Sequence, residues 1–127
     1  MSAEAILNLL RGLCESTHEI EACMVGRRGL EGVMMFPESF KEDVGPVWEP
    51  LSRVLNDVLS VIERDSIFKM KTAYVGVLDF GIAFYVLGGS DNALIVFLKD
   101  DGNTVGKLSR LEGEIKKTLA GILKILA

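Results

Sequence analysis

Gly102-Asn103-Thr104-Val105-Gly106-Lys107-Leu108 is the segment of this 127-residue chain whose residue types most invite chemistry. Glycines around a lysine, between an apolar run and a helical pattern, stand where a loop would cradle phosphate. Such a loop needs four residues between its glycines, and Ser or Thr after the lysine to hold Mg²⁺. Here three residues separate Gly102 from Gly106, and Leu108 follows Lys107, so the segment reads as a loop that caps a helix. Asp79-Phe80-Gly81 spells the metal-binding tripeptide of protein kinases without the glycine-rich loop, strand lysine and catalytic loop that must accompany it. It reads as a hairpin turn. His18 is the only histidine, so any Ser/His/Asp or Cys/His arrangement would have to include it. Cys14, four residues earlier, falls on a helical pattern, whereas His18 falls in the loop after it. Cys14 and Cys23 have neither metal-ligand nor CxxC spacing and read as reduced thiols of a cytoplasmic protein. Glu38, Glu42 and Asp43 read as a solvated loop face rather than as paired catalysts. No catalytic, cofactor-binding or metal-binding residue is assigned, and the chain reads as a non-enzyme.

The surrounding elements are better marked than any site. Ile6, Leu9, Leu10 and Leu13 recur at helical spacing, which predicts a first helix over 3–15. Two strands follow, a loosely alternating one at 19–25 and another at 30–36, joined by the turn Gly26-Arg27-Arg28-Gly29 and stopped by Pro37. A second hairpin is expected from 68–78 and 82–88 around Asp79-Phe80-Gly81. Residues 93–98 are apolar throughout. Without alternation, both faces of that strand must be covered, which puts it near the middle of the sheet. A last helix, with Asn103 or Thr104 as its N-cap, carries Leu108, Leu111, Ile115, Leu119, Ile122 and Leu126 on one stripe that needs only the sheet. The order is α-β-β-α-β-β-β-α. It predicts an α/β (α+β) single domain over 1–127, with a five-stranded, mostly antiparallel sheet and helices on both faces.

The helix expected over 47–64 carries the most information. At roughly 100° per residue, Val61, Val54, Val47, Val58, Leu51, Ile62, Leu55, Trp48 and Leu59 fill an arc of roughly 160°, wider than the roughly 100° one core contact needs. A face that wide can cover its own sheet and touch a second body along Val47, Val54 and Val61, which have heptad spacing.

Composition narrows the function classes. The chain is 49% hydrophobic and 25% charged, a globular profile, and its mean hydropathy of +0.32 is high for so small a protein. One explanation of that excess is apolar surface buried against a partner chain. A net charge of −4 with dispersed charges argues against nucleic-acid binding, which needs a basic stripe. No apolar run is long enough to span a bilayer, and Met1-Ser2-Ala3-Glu4-Ala5-Ile6 lacks the basic and apolar regions of a signal peptide. Neither membrane insertion nor export is therefore expected.

Two stretches carry a family resemblance. Ile20-Glu21-Ala22-Cys23-Met24-Val25-Gly26-Arg27-Arg28-Gly29-Leu30 is similar to the first hairpin of roadblock/LC7 domains. Leu94-Ile95-Val96-Phe97-Leu98, followed by Asn103-Thr104-Val105-Gly106-Lys107-Leu108, is similar to their last strand and the start of their final helix. With the element order, the resemblance covers about residues 5–126. The family includes dynein light chains of the roadblock type, bacterial MglB-like GTPase regulators and Ragulator subunits, with a profilin-like arrangement of sheet and helices. It implies a non-catalytic, cofactor-free dimerisation module, paired with itself or a homologous roadblock chain, that scaffolds or regulates a small Ras-like GTPase. Family members dimerise through the middle helix and the third strand, here implied at 69–77. That assigns Val47, Val54, Val58 and Val61, with Thr72 and Tyr74, to the interface. Arg27 and Arg28 stand where the family often has an acidic residue. They are kept as a candidate partner contact, the plainer alternative being a solvated turn tip. Two rival functions are a light-chain-like adaptor in a larger complex without a GTPase, and a small-molecule sensor of profilin- or PAS-like architecture. A sensor would need a cavity under the sheet with convergent polar groups.

Overall fold

The apolar run at 93–98 forms the middle strand of the sheet. In the computed structural model, which describes residues 2–27, 34–64, 72–77, 80–86, 92–99 and 104–126, the elements follow the expected order with one addition. They are α1 (Ser2–Glu15), β1 (Ile20–Arg27), β2 (Met34–Phe36), α2 (Phe40–Val44), α3 (Trp48–Arg64), β3 (Thr72–Val77), β4 (Phe80–Val86), β5 (Asn92–Lys99) and α4 (Thr104–Leu126). The five strands lie in the order β2-β1-β5-β4-β3, and every pair is antiparallel. From Ala93 to Leu98 each residue of β5 has 0% exposure, so both of its faces are covered.

Alternation along the strands sorts side chains between two cores. Ala93, Ile95 and Phe97 of β5 join Ala22, Met24, Ile82 and Phe84 against Phe40 and Val44 of α2 and Leu51 and Leu55 of α3. Leu94, Val96 and Leu98 face the other way, with Cys23, Val25 and Ala83, against Ile6, Leu10 and Leu13 of α1 and Leu111, Ile115 and Ile122 of α4. The layers are thus α1 and α4, the sheet, then α2 and α3. The loose alternation of β1 has a local cause. Its register with β5 shifts between Ile20 and Ala22, so Ile20 packs on the α1–α4 side although it stands two residues from Ala22. A bulge inserts one residue and reverses the faces before it.

Several expectations shift in detail. α2 was not foreseen: residues 38–43 read as a loop, but a short helix starts at Phe40 and leads through a 3₁₀ turn, Gly45–Val47, into α3. Phe40 anchors it, its ring centroid 5.0 Å from that of Phe97. Glu38, Glu42 and Asp43 are exposed, as a solvated face requires. The strands also run further into the supposed turns. Gly26 and Arg27 pair with Ala93 and Asn92 at the end of β1. Phe80 and Gly81 pair with Val77 and Gly76, so they belong to β4 and not to a hairpin turn. Arg28-Gly29 and Asp79, the remaining turn positions, lie outside the described residues, as do 69–71 of the expected third strand. The expected N-cap at Thr104 is already helical, and Asn103 lies outside the described residues.

α4 uses more than the sheet. It also packs along α1, and a Cβ added at Gly121 would come within 3.0 Å of Leu9 Cδ1. The expectation that its stripe needs only the sheet is corrected on this point: the missing side chain at Gly121 lets the two helices approach. An ion pair from Arg110 Nη2 to Glu19 Oε1 (2.8 Å) links α4 to the loop before β1, though at this exposure it adds little stability. The end of α1 is closed by Ser16. Its N–H donates to Gly12 O (3.1 Å) and its hydroxyl to Leu13 O (2.6 Å), satisfying carbonyls a helix end leaves over.

The glycines of α4 make a direct test. A Cβ at exposed Gly113 meets nothing within 4 Å, so Gly113→Ala should stabilise the protein by about 0.5–1 kcal/mol in urea denaturation through better helix propensity. Gly121→Ala should gain less or lose stability, because Leu9 must move.

Candidate functional site

α3 is a 17-residue helix, roughly 25 Å long, that begins directly after the 3₁₀ turn. Pro50 falls in its first turn, where a missing N–H costs nothing and the fixed φ suits a helix. Among its described side chains, Leu51 (1% exposed) and Leu55 (0%) are sealed into the core, four apart and one turn above each other. Val54 and Trp48 pack against the same cluster but are only partly buried. On an α-helix Val54 stands about 60° from Leu51 and about 100° from Leu55, on the flank of the seam. Glu49, Arg53 and Asp57 occupy exposed positions, with Arg53 Nη2 3.2 Å from Glu49 Oε1. Val54 thus stands between the buried seam and the charged positions Arg53 and Asp57, with Trp48 on the seam's other side.

The other assigned residues separate into backbone and side-chain statements. Val47 closes the 3₁₀ turn, and Val58 and Val61 lie in α3, seven residues after Leu51 and Val54 respectively. Their side chains lie outside the described residues. Thr72 and Tyr74 lie in β3, which stands at one end of the sheet order with β4 as its neighbour. Their register is defined although their side chains are not described. Thr72 is opposite Tyr85 and Tyr74 is opposite Ala83, and these partners pack on the α1–α4 side. Ala73 and Val75 are opposite Phe84 and Ile82, which pack on the α3 side. Sequence reasoning assigned the first pair to the interface and passed over the second. Strand alternation read from a correctly registered hairpin could have separated them.

Arg27 is exposed at the end of β1, two places from β4 and three from β3 in the strand order. Arg28 lies outside the described residues. The structure therefore does not bring Arg27 together with the α3–β3 side. The other residues weighed for chemistry are also apart. His18 is exposed in the loop after α1, beside a shallow, open depression with Glu21, Pro37, Ser39, Phe40 and Asp43 at one end of the sheet. Lys107 is 5% exposed on the second turn of α4 rather than presented to an anion in solvent. Among the described residues, no group of three or more His, Cys, Asp and Glu side chains is placed to hold a metal ion.

Among the described residues, displaced ionisation belongs to the α1–α4 side. Burial, helped by the charge of Glu112, pushes the Tyr85 hydroxyl up, while a hydrogen bond and the charge of Lys116 hold exposed Glu112 below its usual range. A hydrogen bond from Cys23 lowers Cys14, and the loss of that bond on ionisation, with burial, pushes Cys23 far up. Sequence reasoning treated the two cysteines as separate thiols, but the fold places their Sγ atoms 3.0 Å apart. A separation of nine residues with a helix end and a loop between carries no signal for that contact.

Solved structures that show the same architecture across most of their length include the following three. MglB from Myxococcus xanthus superposes with a TM-score of 0.73 at 10% identity, over 98% of this chain and 89% of that one. A roadblock/LC7 domain from Streptomyces avermitilis gives 0.61 at 14% identity, over 93% and 94%. MglC from Myxococcus xanthus gives 0.60 at 16% identity, over 98% of each. At the level of sequence, no family model and no curated protein matches the chain. At these identities the likeness defines the fold, which is of the roadblock/LC7 type.

A charge on the α3 flank tests whether it meets a partner. Val54→Asp is expected to shift a dimer toward the monomer mass of 13.9 kDa in sedimentation equilibrium, with the helical circular dichroism largely kept. An unchanged oligomer would mean that this face is not the interface.

Proposed function

We propose that this roadblock/LC7-type chain is a non-catalytic dimerisation module that scaffolds or regulates a small Ras-like GTPase. The observation that carries the reading is an α3 flank that the core covers only in part, on a sheet that has β3 at one end of its strand order. An apolar helix flank, typified by partly buried Val54, accompanies a six-residue edge strand. Two copies that join β3 edges would continue one sheet into the next, with their α3 helices side by side. Such a contact would also pair the strand at the end of the order, since an unpaired strand edge is an aggregation hazard.

Magnitudes favour using both elements together. Main-chain hydrogen bonds contribute about 0.5–1.5 kcal/mol each, so a six-residue edge supplies only a few kcal/mol before the cost of association. Micromolar affinity needs about 8 kcal/mol net, and a stable interface buries roughly 800 Å² per partner. The α3 flank provides the apolar area that the strand lacks. Val47, Val54 and Val61 on the heptad line are the side chains proposed for it, with Val58 nearer the seam of Leu51. Thr72 and Tyr74 are proposed to contribute chiefly through the main chain of β3.

The GTPase part of the reading comes from the resemblance to MglB-like regulators, joined to a fold shared with MglB. A paired α3 and sheet surface would bind one switch conformation better than the other and so shift its population. The chain supplies the platform and the GTPase keeps the chemistry. Tagged protein should be incubated with source lysate plus a GTP analogue or GDP, and the captured proteins identified by mass spectrometry. A small GTPase enriched with the analogue but not with GDP is the expected result. Recovery of a larger assembly with no GTPase in either state would contradict it and favour the adaptor.

A further inference from the structure

Two thiols meet where α1 leaves the sheet. Cys14 stands in the last turn of α1, partly buried, and Cys23 is completely buried in β1. Their Sγ atoms are 3.0 Å apart, roughly 1 Å beyond the disulfide bond length of about 2.05 Å. Neither is in a disulfide. Each sulfur also lies near a backbone carbonyl, Cys23 Sγ 3.3 Å from Leu10 O and Cys14 Sγ 3.6 Å from Phe36 O, so the single proton of Cys23 goes either to Leu10 O or to Cys14. The chain around them is held at both ends, by α1 in the core with α4 and by β1 between β2 and β5.

We propose that Cys14 and Cys23 form an oxidative modification site, a dithiol that a low-molecular-weight disulfide converts into a Cys14–Cys23 bond stapling α1 to β1. The two sulfurs have unequal roles. Cys14 is the more accessible and serves as the attacking group; buried Cys23 resolves the intermediate from within the core. The Cys14 thiolate attacks one sulfur of the small disulfide, forming a mixed disulfide and releasing one small thiolate. Cys23 then gives its proton to solvent or to a leaving thiolate and attacks Cys14 Sγ, expelling the second small thiol. The protein loses two electrons and two protons, and the small disulfide takes up both to become two thiols. The shared hydrogen bond favours the Cys14 thiolate, partly against burial and the charge of Glu15, while Cys23 stays protonated until it is needed.

The staple closes on the α1–α4 side of the sheet, and α3 packs on the other. Oxidation should therefore restrain α1 without altering the oligomer, and this inference stands independently of the GTPase reading. The purified full chain is to be titrated with oxidised against reduced glutathione, followed by intact mass, non-reducing peptide mapping and thermal melting. Wild type should lose the mass of two hydrogens, yield a Cys14–Cys23 linked peptide pair within one chain, and melt at a higher temperature that a reductant restores. Cys23→Ala should stop with one glutathionyl group on Cys14. Persistent glutathionylation of wild type without the loss of two hydrogens would overturn the proposal. So would linkage between two chains, or no reaction of the folded protein.

Discussion

Burial of β5 on both faces is the constraint on which the rest of the structure depends. Its residues from Ala93 to Leu98 expose no surface, and full burial of a Leu, Ile, Val or Phe side chain contributes roughly 1.5–3 kcal/mol. A strand of that kind can only sit inside a sheet with a helical layer on each side. The hairpins then distribute themselves around it, β1 and β2 to one side, β4 and β3 to the other. α1 and α4 close one face, α2 and α3 the other, and the core residues described in β1, β2 and β4 are assigned to a core by their parity with β5.

The same constraint leaves the edges of the sheet to be managed. β2 stands at one end of the strand order, with Met34 and Phe36 packed on the α1–α4 side, and β3 stands at the other. A strand edge left unpaired invites another strand. α3 adds the second half of the argument. The sheet takes Leu51 and Leu55 completely, but Val54 and Trp48 only in part. Val54 and Trp48 stand on opposite sides of the Leu51–Leu55 seam, roughly 120° apart, and Val54 is the one on the side away from Leu55.

Much of this order could be read from residue patterns, and the failures have identifiable causes. Helical periodicity marked α1, α3 and α4, and the unbroken apolar run marked β5 as central. α2 escaped because Phe40 and Val44 are one turn apart with three charged residues between them, too short a pattern for periodicity to register. Glycines misplaced the turn boundaries: Gly26 and Gly81 are paired within strands, where a turn residue was expected. The bulge between Ile20 and Ala22 blurred the alternation of β1. At the candidate interface, Val54 was legible from its angle on the helix. The division of β3 between Thr72 and Tyr74 on one register and Ala73 and Val75 on the other needed the pairing with β4. The meeting of Cys14 and Cys23 is purely tertiary, since it depends on how α1 packs across β1.

Amide hydrogen exchange of the wild-type chain over a range of protein concentrations tests the central claim, that α3 and the β3 edge form the partner surface. The account predicts that the amides of Thr72–Val77 and of α3 exchange more slowly as concentration rises, while those of Met34–Phe36 keep their rates. Rates in β3 that do not depend on concentration, or protection that grows at β2 instead, would contradict it.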